Sequence, residues 1–329
     1  MKNLLKNELF IKVSKFVVAA ALIGWMLKKG LIDLSVLSLM ATPFYIAIAL
    51  VFSFLNLAIA NWRWTLLLQA RGFSVPFSKT MPLTLIADFF NFALPGAIGG
   101  DVVKAYYIAQ DHSQRKTEAV TSVIVDRVIG LYGMVVMALG TIVWNIGFVI
   151  SNPKLGFVSL MVLGLFSIMT LFFAGGLSQR FRLFLRFDSL LPKIPGGNLG
   201  LKFYDAFQGY RSHPKLILVA IGLSLFAQLL AIVFMMFVGH AIGENNLGID
   251  VFLFAVPLGF ILSAVPISPG GIGVGQYAFL ALFRMYSGTP TNLGQTAITA
   301  FQISLFAWGI VGGLLYLKKK KPNFEEVSV

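Results

Sequence analysis

The chain has 329 residues, of which 57% are hydrophobic and 12% are charged, and its formal net charge is +13. Soluble globular domains carry about 25% charged residues, so this composition excludes an ordinary soluble protein and indicates a polytopic membrane protein. The excess of Lys and Arg then reflects the topology of the loops and their contact with anionic lipid, and not binding to nucleic acid. The sequence has no cysteine and only three histidines, far apart, so we expect no disulfide, no metal and no cofactor.

Two membrane helices are predicted near the start of the chain. Residues 14–29 follow a basic N-terminus, and no small-residue cleavage site comes after them, which favours a membrane helix over a signal peptide. The second helix is predicted over residues 44–68. Near its end Trp62 and Trp64 flank Arg63, a pattern typical of an anchor at the membrane interface.

The next apolar segment, residues 81–110, is interrupted. The sequence Pro-Gly-Ala-Ile-Gly occupies residues 95–99 in its middle, and both Pro and Gly disfavour a continuous helix. Cations lie on both sides of the segment, which by the positive-inside rule predicts that it enters the membrane and returns to the cytoplasmic side. These cations are Arg71, Lys79, Arg115 and Lys116.

Four more helices and a second interruption complete the prediction. The interruption repeats the first one as Pro-Gly-Gly-Ile-Gly at residues 269–273. A basic linker rich in Phe is predicted to lie on the cytoplasmic membrane surface. Gly309 and Gly313 form a GxxxG pattern, which we interpret as a packing face within the chain. The helices are predicted over residues 119–149, 156–176, 215–240 and 295–317, the interrupted segment over 251–286 and the linker over 177–214.

The two halves of the predicted topology resemble each other. Residues 43–149 and 215–317 each read as helix, interrupted segment and helix, starting from opposite sides of the membrane. This predicts one all-α polytopic membrane domain over residues 1–329, with about six full transmembrane helices and two re-entrant or broken segments in an inverted-topology repeat. Both termini are then cytoplasmic. The alternative is eight full crossings, which would place the basic linker outside.

The polar residues of the two interruptions are the candidate site, because an ionisable group inside a membrane is costly unless it is paired or hydrated. Helix N-termini at the breaks attract anions, and together with Lys104 and Arg127 they predict a seat for a lipid phosphate. Asp101 either caps its helix or acts in this site, and Arg127 pairs with Asp88 or Asp101, either for function or only for structure. The candidate residues are Asp88, Asn91, Pro95, Gly96, Gly99, Gly100, Asp101, Lys104, Asp126, Arg127, Pro269, Gly270, Gly271, Gly273 and Gln276.

The stretch from Asn91 to Lys104, the Asp126-Arg127 pair and residues 266–273 together resemble the flippase-like transmembrane domain of lysylphosphatidylglycerol synthases. The resemblance covers nearly the whole chain and implies a bacterial or archaeal inner-membrane protein that translocates lipids. Family members often have Arg where Lys104 stands and Glu where Gln276 stands. Lys104 keeps the positive charge of an Arg but cannot bind a phosphate in a bidentate manner, and Gln276 lacks the titratable proton of a Glu. The resemblance does not include the soluble aminoacyl-transferase domain of the synthases, so we do not expect lysyl transfer from this chain.

Three functions remain open from the sequence. The first is a flippase or transporter for an anionic or polyprenyl-linked lipid in the cytoplasmic membrane, with membrane lipids as its partners. The second is an intramembrane lipid-modifying enzyme with Asp88 or Asp101 as general base. The third is a non-transporting membrane partner of a synthase or glycosyltransferase.

Overall fold

A computed structural model describes residues 43–93, 99–178, 180, 197–264 and 271–318. Every regular element in these ranges is helical, so the predicted all-α class is confirmed. The predicted helix over residues 14–29 lies outside the described residues. So do much of the linker and the tips of both interruptions, with Pro95, Gly96, Pro269 and Gly270.

Five helices are long and apolar enough to cross a membrane. They contain 25 to 29 residues each. At a rise of about 1.5 Å per residue this exceeds the ~30 Å hydrocarbon core. They coincide with five of the six predicted crossings. The helices are α1 (Pro43–Ala70), α4 (Lys116–Trp144), α6 (Pro153–Leu177), α8 (Pro214–Ala241) and α11 (Leu293–Lys318).

Each interrupted segment consists of two short helices. The first contains α2 (Phe77–Ala93) and α3 (Gly99–Asp111), and the second contains α9 (Ile249–Ser263) and α10 (Val274–Ser287). With 13 to 17 residues apiece, none is long enough to cross a bilayer alone. The chain is therefore divided where the sequence repeats its Pro-Gly pattern.

Three short elements lie between the long helices. They are a 3₁₀ turn at Ser113–Arg115, α5 (Ile146–Ser151) and α7 (Gly197–Gln208) in the linker. The single helix predicted over residues 119–149 is wrong at its end, because α4 stops at Trp144. There Asn145 donates its side-chain amide to the Thr141 carbonyl, a local bond that competes with helix continuation.

α2 lies directly on α11 because the contact face of α11 is made of glycine. A Cβ atom on Gly312 would lie 1.9 Å from the Leu85 carbonyl oxygen, and one on Gly309 would lie 3.3 Å from the Phe89 Cα. Gly313 faces the ring of Phe89. The predicted packing of the GxxxG face within the chain is confirmed.

The helices form one bundle around a core that joins both halves. α1 packs along α8, α4 packs against α8 and α9, and α11 packs against α2 and α10. The outer face of α6 exposes large apolar side chains such as Phe157, Leu160 and Leu171. Such a face is stable against lipid tails and not against water. The chain is thus a polytopic membrane protein.

Candidate functional site

Arg63 is buried in the bundle, so its prediction as an interface anchor is wrong. Its Nε lies 2.7 Å from Asp126 Oδ1, and its Nη1 donates to Ser224 Oγ at 2.8 Å. Gly130 on α4 makes room for the guanidinium, because a Cβ there would approach Arg63 Nη2 to 3.0 Å. The ion pair therefore joins α1 to α4, and the hydrogen bond to Ser224 joins α1 to α8.

Trp64 is also buried, and only Trp62 has the exposure expected of an anchor. Two residues that are two positions apart on a helix point about 200° apart, so these tryptophans cannot both face lipid. The Trp64 indole donates to Ser122 Oγ at 3.2 Å. One face of its ring lies 4.1 Å from Lys104 Nζ, within the range of a cation–π contact.

Asp101 and Arg127 form an ion pair between the first turn of α3 and the middle of α4. Of the two partners predicted for Arg127, Asp101 is the one observed. Asp126 and Arg127 are neighbours in sequence yet point to different helices, because adjacent helical residues are about 100° apart. The side chains of Arg127 and Asp101 are 40% and 26% exposed, far more than those of Arg63 and Asp126.

These contacts leave one cation without a carboxylate partner. Arg63, Lys104 and Arg127 are three positive charges, and Asp101 and Asp126 are two negative charges, so the group carries +1. Lys104 is only 7% exposed and feels the charges of both aspartates. Within the described part of the chain its ammonium makes no hydrogen bond and no ion pair, and it lies over the Trp64 ring.

Glycine at the start of α3 allows the two arms of the first interruption to touch. A Cβ on Gly100 would lie 2.0 Å from the Ala87 carbonyl oxygen on α2. The Gly100 N–H donates to Asn91 Oδ1 at 2.9 Å, which satisfies one of the unpaired donors of the helix N-terminus. Gly99 is buried beside it. The residues predicted on both sides of this break therefore do meet.

The second interruption has no charged residue at its break, since its two charged residues, Asp250 and Arg284, lie in the first turn of α9 and the last turn of α10. Gly271 and Gly273 have φ angles of +71° and +86°, a conformation that favours glycine. Gln276 accepts a hydrogen bond from the Gly273 N–H at 2.6 Å and donates to Gln302 Oε1 at 2.7 Å. The site is thus charged at one break and only polar at the other.

The two interruptions approach each other inside the bundle. Phe92, at the end of α2, packs with Ile272, which precedes α10, in a small apolar cluster. Phe306 on α11 stacks edge-on against Phe92 at 5.6 Å between ring centroids. Among the described residues, the borders of the two breaks are therefore in contact through this apolar cluster.

Several polar residues of this region were missed by the sequence analysis. Asn61 and Thr65 on α1 are buried and hydrogen-bonded to α2. On α2, Thr80 and Thr84 precede Asp88 by two turns and one turn. A spacing of four residues places side chains on one face, so the pattern was visible in the sequence.

Two further features lie near the N-terminal end of α4. Arg71 and Arg115 both pair with Glu118, at 2.7 and 2.5 Å, beside a polar cleft of about 340 Å³. An apolar cavity of about 500 Å³ lies between α4, α6 and α7 and includes Phe207 in its lining. No cluster of three or more His, Asp or Glu side chains suitable for a metal occurs among the described residues.

Comparison with known proteins gives two matches. A family model described as "Lysylphosphatidylglycerol synthase TM region" matches residues 12–313. A relative described as "UPF0104 membrane protein", from Methanothermobacter thermautotrophicus, is 29% identical over 104 residues, which cover 31% of this chain and 31% of that protein. The chain therefore matches about a third of this relative's length. No solved structure matches the chain.

Proposed function

Because the chain belongs to the lysylphosphatidylglycerol synthase TM region family, we propose that it transports lipid, moving an anionic or polyprenyl-linked lipid across the cytoplasmic membrane. The headgroup passes along the charged first interruption while the tails stay in the bilayer. Both termini lie on the cytoplasmic side, as does the cluster of Arg71, Arg115 and Glu118.

The observation that carries this proposal is the buried ammonium of Lys104, which has no acidic partner among the described residues. A charge inside a membrane protein is costly unless a partner neutralises it, and the surrounding aspartates are already engaged by Arg63 and Arg127. A lipid phosphate supplies the missing negative charge and accepts charge-assisted hydrogen bonds. Lys104 is therefore the contact expected to hold the headgroup.

The neighbouring Asp101–Arg127 pair is where the headgroup enters the site. The pair is partly exposed, so a phosphate is able to compete with Asp101 for the guanidinium of Arg127. The start of α3, with Gly99 and Gly100, adds backbone N–H groups and the positive end of the helix dipole. Beyond it the neutral Gln276 offers polar contacts without a charge that would trap the headgroup.

The test is movement of labelled phospholipids in proteoliposomes that contain the full chain. Lys104→Gln should slow movement of an anionic lipid at least about tenfold, since a charge-assisted contact contributes about 1.5–3 kcal/mol. Lys104→Arg keeps the charge and should retain much of the rate. Lys79→Gln removes an exposed cation as the matched control and should change little.

Two results would count against transport at this site. One is equal movement by the wild type and Lys104→Gln, and the other is no movement of any anionic, zwitterionic or polyprenyl-phosphate lipid by folded protein. A new lipid product in the same vesicles would instead support the enzyme with Asp88 or Asp101 as general base. Co-purification of a synthase or glycosyltransferase, without intrinsic transport, would support the partner role.

A further inference from the structure

A stripe of polar side chains runs along one face of α2, inside the bundle. Thr80, Thr84, Asp88 and Asn91 follow one another at spacings of four, four and three residues, which places them on a common helix face. This polar stripe is buried at Thr80, Thr84 and Asp88. A buried polar face inside a membrane bundle requires hydrogen-bonding partners for each of its members.

Three of the four residues have such partners. Asn61 on α1 donates to Thr80 Oγ1 at 3.1 Å and accepts from Thr84 Oγ1 at 2.8 Å. Asn91 accepts from the Gly100 N–H at 2.9 Å. Asp88 lies between these two groups, one turn beyond Thr84 and one turn before Asn91.

Asp88 differs from its neighbours on the stripe. Its side chain is buried, with 8% of the residue exposed, and its Oδ2 receives no hydrogen bond from any residue in the described ranges. Its backbone lies close to Gly309, so α11 offers no side chain at that contact.

The ionisable groups on the helices that pack against α2 do not neutralise it. Arg63 is paired with Asp126, Asp101 with Arg127, and Lys104 lies on Trp64. Across the described part of these helices, no ionisable side chain bonds to Asp88. The full set is Tyr45 and Arg63 on α1, Asp101, Lys104, Tyr106, Tyr107 and Asp111 on α3, and Tyr316 and Lys318 on α11.

From this placement we propose that Asp88 is a proton-binding site. Its carboxylate takes one proton from water, which removes the uncompensated charge, and it releases that proton to water when the bundle rearranges. The proton is the only species transferred, and it forms and breaks one O–H bond on the carboxyl group.

The position of Asp88 links this proton to lipid movement, a step that rests on the proposed function. Asn91, one turn away, accepts the hydrogen bond of the Gly100 N–H at the start of α3, and Asp101 and Lys104 follow on the same helix. A change of charge on Asp88 therefore acts within two turns of the contact between α2 and α3. Gln276 at the second break carries no titratable proton, whereas Asp88 is the titratable side chain of the polar stripe on α2.

The test detects the proton directly and needs no transport. Infrared difference spectra of the full chain in lipid nanodiscs, recorded while the pH is changed, report the C=O stretch of a protonated carboxyl. The wild type should show this band at neutral pH, and Asp88→Asn should lose it. Asp111→Asn removes an exposed carboxyl on α3 as the matched control and should keep the band.

Asp88→Glu should keep a protonated-carboxyl band, which guards against a loss caused by misfolding of the Asn variant. A wild-type spectrum without the band, or a band that survives in Asp88→Asn, would overturn the proton site.

In proteoliposomes an imposed pH gradient should change the rate of lipid movement by the wild type and not by Asp88→Asn. Lipid movement that ignores the gradient overturns the coupling, whereas vesicles without any movement overturn the proposed function and leave the infrared result standing.

Discussion

Two ion pairs of similar composition occupy different environments on adjacent residues of α4. The side chains of Arg63 and Asp126 are 11% and 10% exposed, whereas Arg127 and Asp101 are several times more exposed. A buried ion pair is expensive to break because the remaining charge loses both water and partner. A partly exposed pair costs little, since water and mobile ions replace the lost contact.

This difference gives a stability prediction at the scale of single residues. Asp126→Ala should lower the free energy of unfolding by about 3–5 kcal/mol, while Asp101→Ala should lower it by about 1 kcal/mol or less. The measurement is equilibrium unfolding of the purified protein in mixed SDS micelles. The double variant Arg63→Met/Asp126→Leu should regain most of the loss because neither charge of this pair is then left buried without its partner. Equal losses for the two single variants would contradict this assignment.

At the scale of helices, close contact depends on glycine at particular crossings. Gly312 places α11 against the backbone of α2, where a Cβ would meet Leu85 O at 1.9 Å. Gly222 on α8 has no atom within 4 Å of the same position and is exposed. The two residues have the same chemistry and opposite surroundings.

Alanine at these two positions should therefore have opposite effects. Gly312→Ala forces the two backbones apart and should destabilise the bundle by about 1–3 kcal/mol or more. Gly222→Ala should be neutral or stabilising by up to about 1 kcal/mol, because Ala has the higher helix propensity. Thermal unfolding in mild detergent compares them. A loss at Gly222 as large as that at Gly312 would contradict this prediction, because neither a close helix crossing nor helix propensity explains a loss at Gly222.

The long membrane helices were predictable because a segment of about 20 apolar residues spans a bilayer, and a helix satisfies all its backbone hydrogen bonds within the segment. An acidic partner for Arg127 was predictable because an intramembrane charge requires one, but the sequence left Asp88 and Asp101 open and only the structure shows Asp101. Arg63 was assigned wrongly because its partner Asp126 is 63 positions away and local sequence shows only two flanking tryptophans. The polar stripe was missed for a different reason, since Thr80 and Thr84 are common in membrane helices and acquire meaning only beside Asn61 on α1.

At the scale of the whole molecule, the contacts between helices follow a repeating scheme. If α1 to α4 correspond to α8 to α11, then the contact of α2 with α11 corresponds to that of α9 with α4, and the contact of α3 with α4 corresponds to that of α10 with α11. The contact between α1 and α8 corresponds to itself. Such a scheme is expected of an internal repeat, whereas the inverted orientation of the two halves and the re-entrant course of the interruptions stay predictions.

The absence of native cysteine makes the topology directly measurable, because each introduced thiol is then the only one in the chain. Ser78→Cys and Gln114→Cys flank the first interruption, and Asn246→Cys and Thr289→Cys flank the second. All four positions are exposed.

In spheroplasts, an impermeant maleimide should label the second pair and reach the first pair only after the membrane is opened. The opposite sides follow from the positive-inside rule, since cations surround the first interruption. With eight full crossings, each pair would instead be split between the two sides, and Ser78→Cys and Gln114→Cys would differ from each other.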